Sequence, residues 1–396
     1  MKIVIATDSY KGSLTSIEVA NHIEKGLLKV FPQAQITKIP IADGGEGTVE
    51  AMISATSGSI HQTVVKDPLG KEIQSFFGVL GDGKTAVIEM AAASGLTLVP
   101  FRDRNPLITS SFGTGQLIRH VIKLGLKKII LGIGGSATND GGAGMAEALG
   151  VRFLDKFAQP LVPGGAALID LKEIDLSQLD PAVKETEILV ACDVDNPLCG
   201  IKGASAVYGP QKGATGEMVA LLDSALKNYS LVAAKATGRD VSDIPGSGAA
   251  GGMGAGLLLF TKASLRSGVQ IVIETTGLEE LVKTADLIIT GEGKTDKQTS
   301  FGKAPVGVGE LARKYDKVAL CLSGSLGEGA DDILNHGIHA ITNITEGPVT
   351  LEECIQNADK LLERSAFRLG LTLRAGVNLA KALGIANETS FNESPY

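Results

Sequence analysis

The feature that most constrains this chain is a recurring junction: a short apolar run that stops abruptly in a loop of glycines and acids. The longest example is Lys128–Gly144, KIILGIGGSATNDGGAG. Ile129, Ile130 and Leu131 read as a buried strand. Gly132, Gly134 and Gly135 end it, and Ser136, Thr138, Asn139 and Asp140 follow. Such a turn exposes backbone N–H groups and carries one anionic side chain, the parts needed to hold phosphates and a metal. The same residues would also serve as a tight strand-to-helix connection in any α/β protein.

Four further junctions repeat the pattern: Asp8 in TDSYKGS, Asp43 and Glu46 in ADGGEGT, Asp193 in CDVDNP, and Glu292 with Asp296 in TGEGKTD. Asp and Gly favour turns for their own sake, so any one acid reads first as structural. Their recurrence points to function, because ligands of open α/β sheets sit outside the carboxyl ends of the strands. Carboxylates, N–H nests and Lys11 together suit a Mg²⁺-nucleotide.

The order of elements supports an α/β fold. Strands are expected at Ile3–Ala6 and Gln35–Ile41, each followed by a helix, the first capped by Thr15 or Ser16. From Thr63 the texture changes to short strands separated by DPLG and GDGK, which reads as antiparallel and marks an insertion. Helices are expected at Gly115–Leu124, Ala143–Leu149 and Met218–Ala236, with a strand at Ile188–Ala191. The α/β alternation returns after Ser267, with strands at Val269–Ile273, Asp286–Thr290, Lys317–Leu322 and His339–Ile344. The expected domains are therefore 1–62 with 267–385, then 63–266 inserted between them, and a polar tail 386–396.

Composition removes several classes. Hydrophobic residues make up 44% of the 396, so the chain can bury a large core. A net charge of −7 without any Lys/Arg run argues against nucleic acid or an anionic membrane as partner. The four cysteines lack C-x-x-C spacing, and no long apolar or signal-like segment occurs, so a cytoplasmic protein is expected. The five histidines show no metal-site spacing.

Two formal motif matches mislead. Gly78–Thr85 satisfies the P-loop expression but continues as a β-like run where a helix is needed. Gly246-x-Gly248-x-x-Gly251 satisfies the dinucleotide fingerprint without a preceding strand. Gly132-x-Gly134-x-x-Ala137 does follow a strand, which keeps an NAD-dependent oxidoreductase open beside a kinase and a two-domain ligand-binding protein.

Eight longer motifs occur in one order: DSYKGSL (8–14), ADGGEGT (42–48), IEMAAASGL (88–96), GIGGSATNDGGAG (132–144), CDVDNPL (192–198), GPQKGA (209–214), GSGAAGGMG (246–254) and GEGKTDKQT (291–299). On these residues the chain resembles the glycerate kinases of the bacterial glycerate 2-kinase type, from Lys2 to about Gly376. The resemblance implies ATP-dependent phosphorylation of D-glycerate to 2-phosphoglycerate. It also implies a flavodoxin-like doubly wound domain built from both chain ends and an inserted, restriction-enzyme-like mixed α/β domain. Thr7 stands where the family usually has proline, and Asp195 falls at a variable position and receives no role.

In-line phosphoryl transfer in a cleft between domains is then expected. Asp193 is the candidate base, and Lys11 the candidate cation for phosphate or substrate carboxylate. Gly134, Gly135, Ser136, Asn139, Asp140, Ser9, Ser13, Gly251 and Gly252 are candidates for the nucleotide. Asp43, Glu46, Glu292 and Asp296 are candidates for Mg²⁺.

Overall fold

The structure, a computed structural model, describes residues 1–42 and 44–385. Asp43 and the tail 386–396 lie outside the described residues. The fold is mixed α/β and divides into two compact units, Met1–Pro40 with Glu279–Tyr396, and Ile41–Leu278.

The first unit holds a five-stranded, wholly parallel sheet in the order Ala340–Asn343, Val318–Ser323, Leu287–Gly291, Lys2–Thr7, Gln35–Lys38. Numbered along the chain, that is 2-1-3-4-5. The order reverses between Lys2–Thr7 and Leu287–Gly291, and ligands of such sheets bind at that reversal. Ile3, Ile5, Leu287, Ile289, Leu320 and Leu322 are buried against Val19, Ile23 and Leu27 of the helix Ser16–Leu28. Thr15 starts that helix with a reciprocal cap: its Oγ1 accepts from Glu18 N at 3.3 Å and its own N–H donates to Glu18 Oε2 at 2.9 Å. Gly26 lets the helix Ala358–Ala382 come close, because a Cβ there would meet the Glu363 carbonyl and the Ala366 side chain.

The second unit holds a six-stranded sheet in the order Lys262–Arg266, Glu187–Ala191, Lys128–Gly132, Thr85–Glu89, Glu72–Val79, Ser59–Lys66. The first four strands pair in parallel, and Glu72–Val79 pairs antiparallel with both of its neighbours. Thr85–Glu89 is the switch between the two modes, so the antiparallel texture extends to only one of its neighbours. Asp67 Oδ1 closes the DPLG turn by accepting from Leu69 N and Lys71 N at 2.8 and 2.9 Å. In the P-loop lookalike, Asp82 Oδ1 accepts from Lys84 N and Thr85 N at 2.8 and 2.9 Å, closing a hairpin between two strands. No phosphate-binding helix follows it.

Two expectations are corrected. Val269–Ile273 is not a strand but part of the helix Gly268–Thr276, whose Val269, Ile271 and Val272 are buried. The strand lies just before it, at Lys262–Arg266, at the edge of the sheet and only partly buried, so no apolar run marks it. The unit boundary also falls after Pro40 instead of residue 62. The helix Thr48–Thr56 packs on Glu72–Val79 and Thr85–Glu89 and so belongs with the second sheet. Among the described residues no helix is long and apolar enough to cross a membrane.

Candidate functional site

In the second unit the turn after Lys128–Gly132 is built by close backbone approach. Gly134 N donates to Gly44 O at 3.3 Å, and a Cβ on Gly134 would stand 2.9 Å from Gly45 Cα. Gly132 and Gly134 are therefore glycine so that the loop carrying Glu46 can lie against them. Gly134 was expected to present its N–H to phosphate, and the structure commits that N–H to Gly44. Gly135 has φ +71°, where a side chain would be strained.

Asp140 is the hub of the turn. It is 1% exposed, and Oδ2 accepts from Ser111 N and Oγ, both at 2.8 Å, and from Gly144 N at 3.2 Å. Its Oδ1 accepts from Gly142 N at 3.2 Å. Burial pushes this carboxyl up, and the Ser111, Gly144 and Gly142 donors oppose the rise. Asp140, expected at the nucleotide, has both carboxylate oxygens taken up by the loop's own donors and thus organises the loop from within. Gly251 and Gly252 likewise have packing roles. A Cβ on Gly251 would meet the Thr138 carbonyl, one on Gly252 would stand 2.8 Å from Gly141 Cα, and Gly141 N donates to Gly251 O at 3.0 Å. Ala250, Gly251 and Gly252 are all left-handed, which holds the start of the buried helix against this turn.

Beneath the turn lies Lys212 of GPQKGA, a residue whose role the sequence does not reveal. Its side chain is 1% exposed, and Nζ donates to Ser136 Oγ at 2.7 Å and to Thr138 O at 2.6 Å. Burial pulls this ammonium down to about 7, with Asp140 acting in the opposite sense. Asn139 donates through Nδ2 to Ser205 Oγ at 2.9 Å, while its buried Oδ1 and Thr138 Oγ1 have no hydrogen-bond partner. The two orphaned oxygens lie in the same turn as the Thr138 carbonyl that Lys212 holds.

Glu89 is a second residue that the sequence did not single out. It is 4% exposed, and Oε1 accepts from Val49 N at 2.7 Å, with Gly47 N also donating to the carboxylate. It anchors the first turn of Thr48–Thr56 and the loop bearing Glu46. Burial pushes its carboxyl up to about 7, against the Val49 and Gly47 donors and with help from Glu50 and Glu46. Asp193 ends the strand Glu187–Ala191 on the surface, where Oδ1 accepts from Gly268 N at 3.1 Å. It sits at the N-terminus of Gly268–Thr276, an end that favours negative charge.

In the first unit the ends of the two central strands bring together Asp8, Ser9, Lys11, Ser13, Glu292 and Asp296. Ser9 N donates to Asp8 Oδ1 at 2.6 Å, and Lys11 is exposed. Ser13 Oγ donates to Ile355 O at 3.2 Å, which ties its loop to the helix Leu351–Gln356. Glu292 is 6% exposed; Oε1 accepts from Thr299 Oγ1 at 2.6 Å and Thr295 Oγ1 at 3.2 Å, and Oε2 lies 3.6 Å from Lys303 Nζ. Burial pushes its carboxyl up, Thr299, Lys303 and Thr295 oppose, and Asp296 adds to the rise. Asp296 is held low by Gln298 N–H and by Lys294, whose Nζ is 3.2 Å away. The buried hydroxyls of Thr7 and Thr290, at the ends of the same strands, have no partner.

Among the described residues no three His, Cys, Asp or Glu side chains cluster as a metal cage. Of the expected metal set, Glu292 and Asp296 share one loop, Glu46 belongs to the other unit, and Asp43 lies outside the described residues.

The chain matches the glycerate kinase family over residues 3–374. It is 49% identical over 383 residues to a glycerate kinase of Bacillus subtilis strain 168, covering 97% of this chain and 99% of that one. It is 50% identical over 380 residues to the glycerate 2-kinase of Escherichia coli K12, covering 96% and 100%. A crystal structure described as glycerate kinase 2 from Salmonella typhimurium LT2 superposes with TM-score 0.87 at 49% identity, covering 96% and 99%.

Proposed function

The chain belongs to the glycerate kinase family, and from that premise we propose that it transfers the γ-phosphoryl group of ATP to D-glycerate, giving 2-phosphoglycerate. The observation that carries this reading is identity of about half the residues over nearly the whole of both chains to relatives named for that activity. The parallel order 2-1-3-4-5 supports a flavodoxin-like class for the first unit, and the mixed sheet supports the restriction-enzyme-like class for the second. Four free cysteines fit a reducing, cytoplasmic compartment.

Phosphoryl transfer needs little covalent help from protein, so catalysis here is positioning and charge neutralisation. Asp193, oriented by Gly268 N, takes the proton from the attacking glycerate hydroxyl. Lys11 and Ser9 meet anionic oxygens of the substrates. Gly135 and Ser136 of the turn meet the nucleotide phosphates, while Asn139, fully buried with its Nδ2 committed to Ser205 Oγ, holds the turn from within. The hard oxygens of Glu292 and Asp296 fit Mg²⁺, which takes one or two carboxylates and completes its shell with water and phosphate. Two carboxylates on one loop, beyond strand ends where the buried Thr7 and Thr290 hydroxyls lack partners, make up the donor set that fits it. When bound, Mg²⁺ neutralises phosphate charge. A coupled ADP-release assay tests the reading: glycerate should stimulate ADP formation, and ADP release indifferent to glycerate would contradict it.

A further inference from the structure

The buried lysine below the nucleotide turn is left over from this scheme. An ammonium withdrawn from water is costly without an anion or a full set of acceptors. Lys212 has two acceptors, Ser136 Oγ and Thr138 O, and among the described residues no ion-pair partner. It is fixed from both sides. Its own N–H donates to Gly209 O at 3.0 Å, and Gly213, at φ +94°, turns the chain immediately after it against the Arg104 backbone. Such a lysine is built in, not tolerated.

Its effect on Ser136 follows from hydrogen-bond bookkeeping. A serine hydroxyl has one proton and two lone pairs. The lysine proton occupies a lone pair, so the hydroxyl proton must point elsewhere. Among the described residues the Ser136 hydroxyl donates to no acceptor. A hydroxyl that accepts from a cation is polarised into a stronger donor. Ser136 is 7% exposed, at the surface end of this buried chain of bonds.

We propose that Lys212 is a positioning residue that acts through Ser136: its ammonium fixes the Ser136 oxygen as an acceptor and commits the hydroxyl proton to a phosphate oxygen of the donor nucleotide. The proposal rests on the kinase reading given above for the turn. It differs from a purely structural role, in which Lys212 only ties down the Thr138 carbonyl and Ser136 is a bystander.

The two roles separate in the binding of a non-hydrolysable ATP analogue, AMP-PNP, measured by calorimetry on the whole protein. Ser136→Ala should weaken AMP-PNP about tenfold, and Ser136→Thr, which keeps the hydroxyl, should stay within about threefold of wild type. Lys212→Met should match Ser136→Ala, and the double variant should be no weaker than either single variant. In turnover, KM for ATP should rise while KM for glycerate changes less than about twofold. Undiminished AMP-PNP binding by Ser136→Ala overturns the proposal, and so do multiplicative losses in the double variant. If Lys212→Met does not fold, the Ser136 pair alone decides. Wild-type protein that binds AMP-PNP but ignores glycerate would refute the substrate assignment and leave this test intact.

Discussion

The turn 132–144 and the loop 291–299 look alike on the page, each a strand running into glycines, hydroxyls and an acid, yet their acids are satisfied in different ways. Asp140 is gripped by three backbone N–H groups and one hydroxyl. Glu292 is held by two threonine hydroxyls and a lysine 3.6 Å away. Backbone donors cannot turn aside without remaking the chain, whereas hydroxyls and ammonium groups rotate at little cost. The difference teaches that Asp140 is part of the framework, while Glu292 can exchange its partners for a ligand.

The largest effect should come from the framework acid. Asp140→Ala orphans four buried donors and should cost about 3–5 kcal/mol of unfolding free energy, read by denaturant titration. A loss below about 1 kcal/mol would break the comparison. Asp193, the surface acid of the same unit, should behave oppositely: Asp193→Asn should lower kcat by about 10²–10⁴-fold with stability nearly unchanged. Near-wild-type kcat in a folded Asp193→Asn protein would remove it as the base. Glu292→Gln keeps an acceptor for Thr299 but loses the charge, so kcat should fall about 10–100-fold and the Mg²⁺ requirement should rise, with stability within about 1 kcal/mol.

A further effect is a matter of pH. Glu89 is raised from 4.5 to about 7 in the folded protein, so between those values the folded state holds a proton that the unfolded state has lost. Stability should therefore fall as pH rises from about 4.5 to about 7 and level off beyond, a change on the order of 3 kcal/mol. Glu89→Gln should flatten that segment of the stability–pH curve. An unchanged slope would show that Glu89 is solvated.

Much of this was legible in the sequence because strand ends with β-branched runs and Gly/Asp loops announce themselves locally. Lys2–Thr7, Lys128–Gly132, Glu187–Ala191 and Leu287–Gly291 all lie close to where the apolar pattern sets them. What was hidden depends on contacts distant in the chain. Val269–Ile273 has strand-like residues, but burial against the strand Glu187–Ala191 and the helix Thr48–Thr56 makes it a helix. The edge strand Lys262–Arg266 carries too little apolar character to be seen. Asp140 and Asp193 both follow strands, and only the third dimension separates a carboxylate surrounded by N–H groups from one left at the surface. Lys212 offers no signal beyond a lysine before a glycine, since its meaning lies in Ser136, 76 residues away.

The phosphorus NMR spectrum of the product formed from ATP and D-glycerate tests the central claim most directly. Phosphorylation at the 2-hydroxyl predicts a doublet, from coupling to the single methine proton. A triplet from a CH₂–O–P group would place the phosphate on the 3-hydroxyl, and the absence of any new phosphate ester would contradict the account outright.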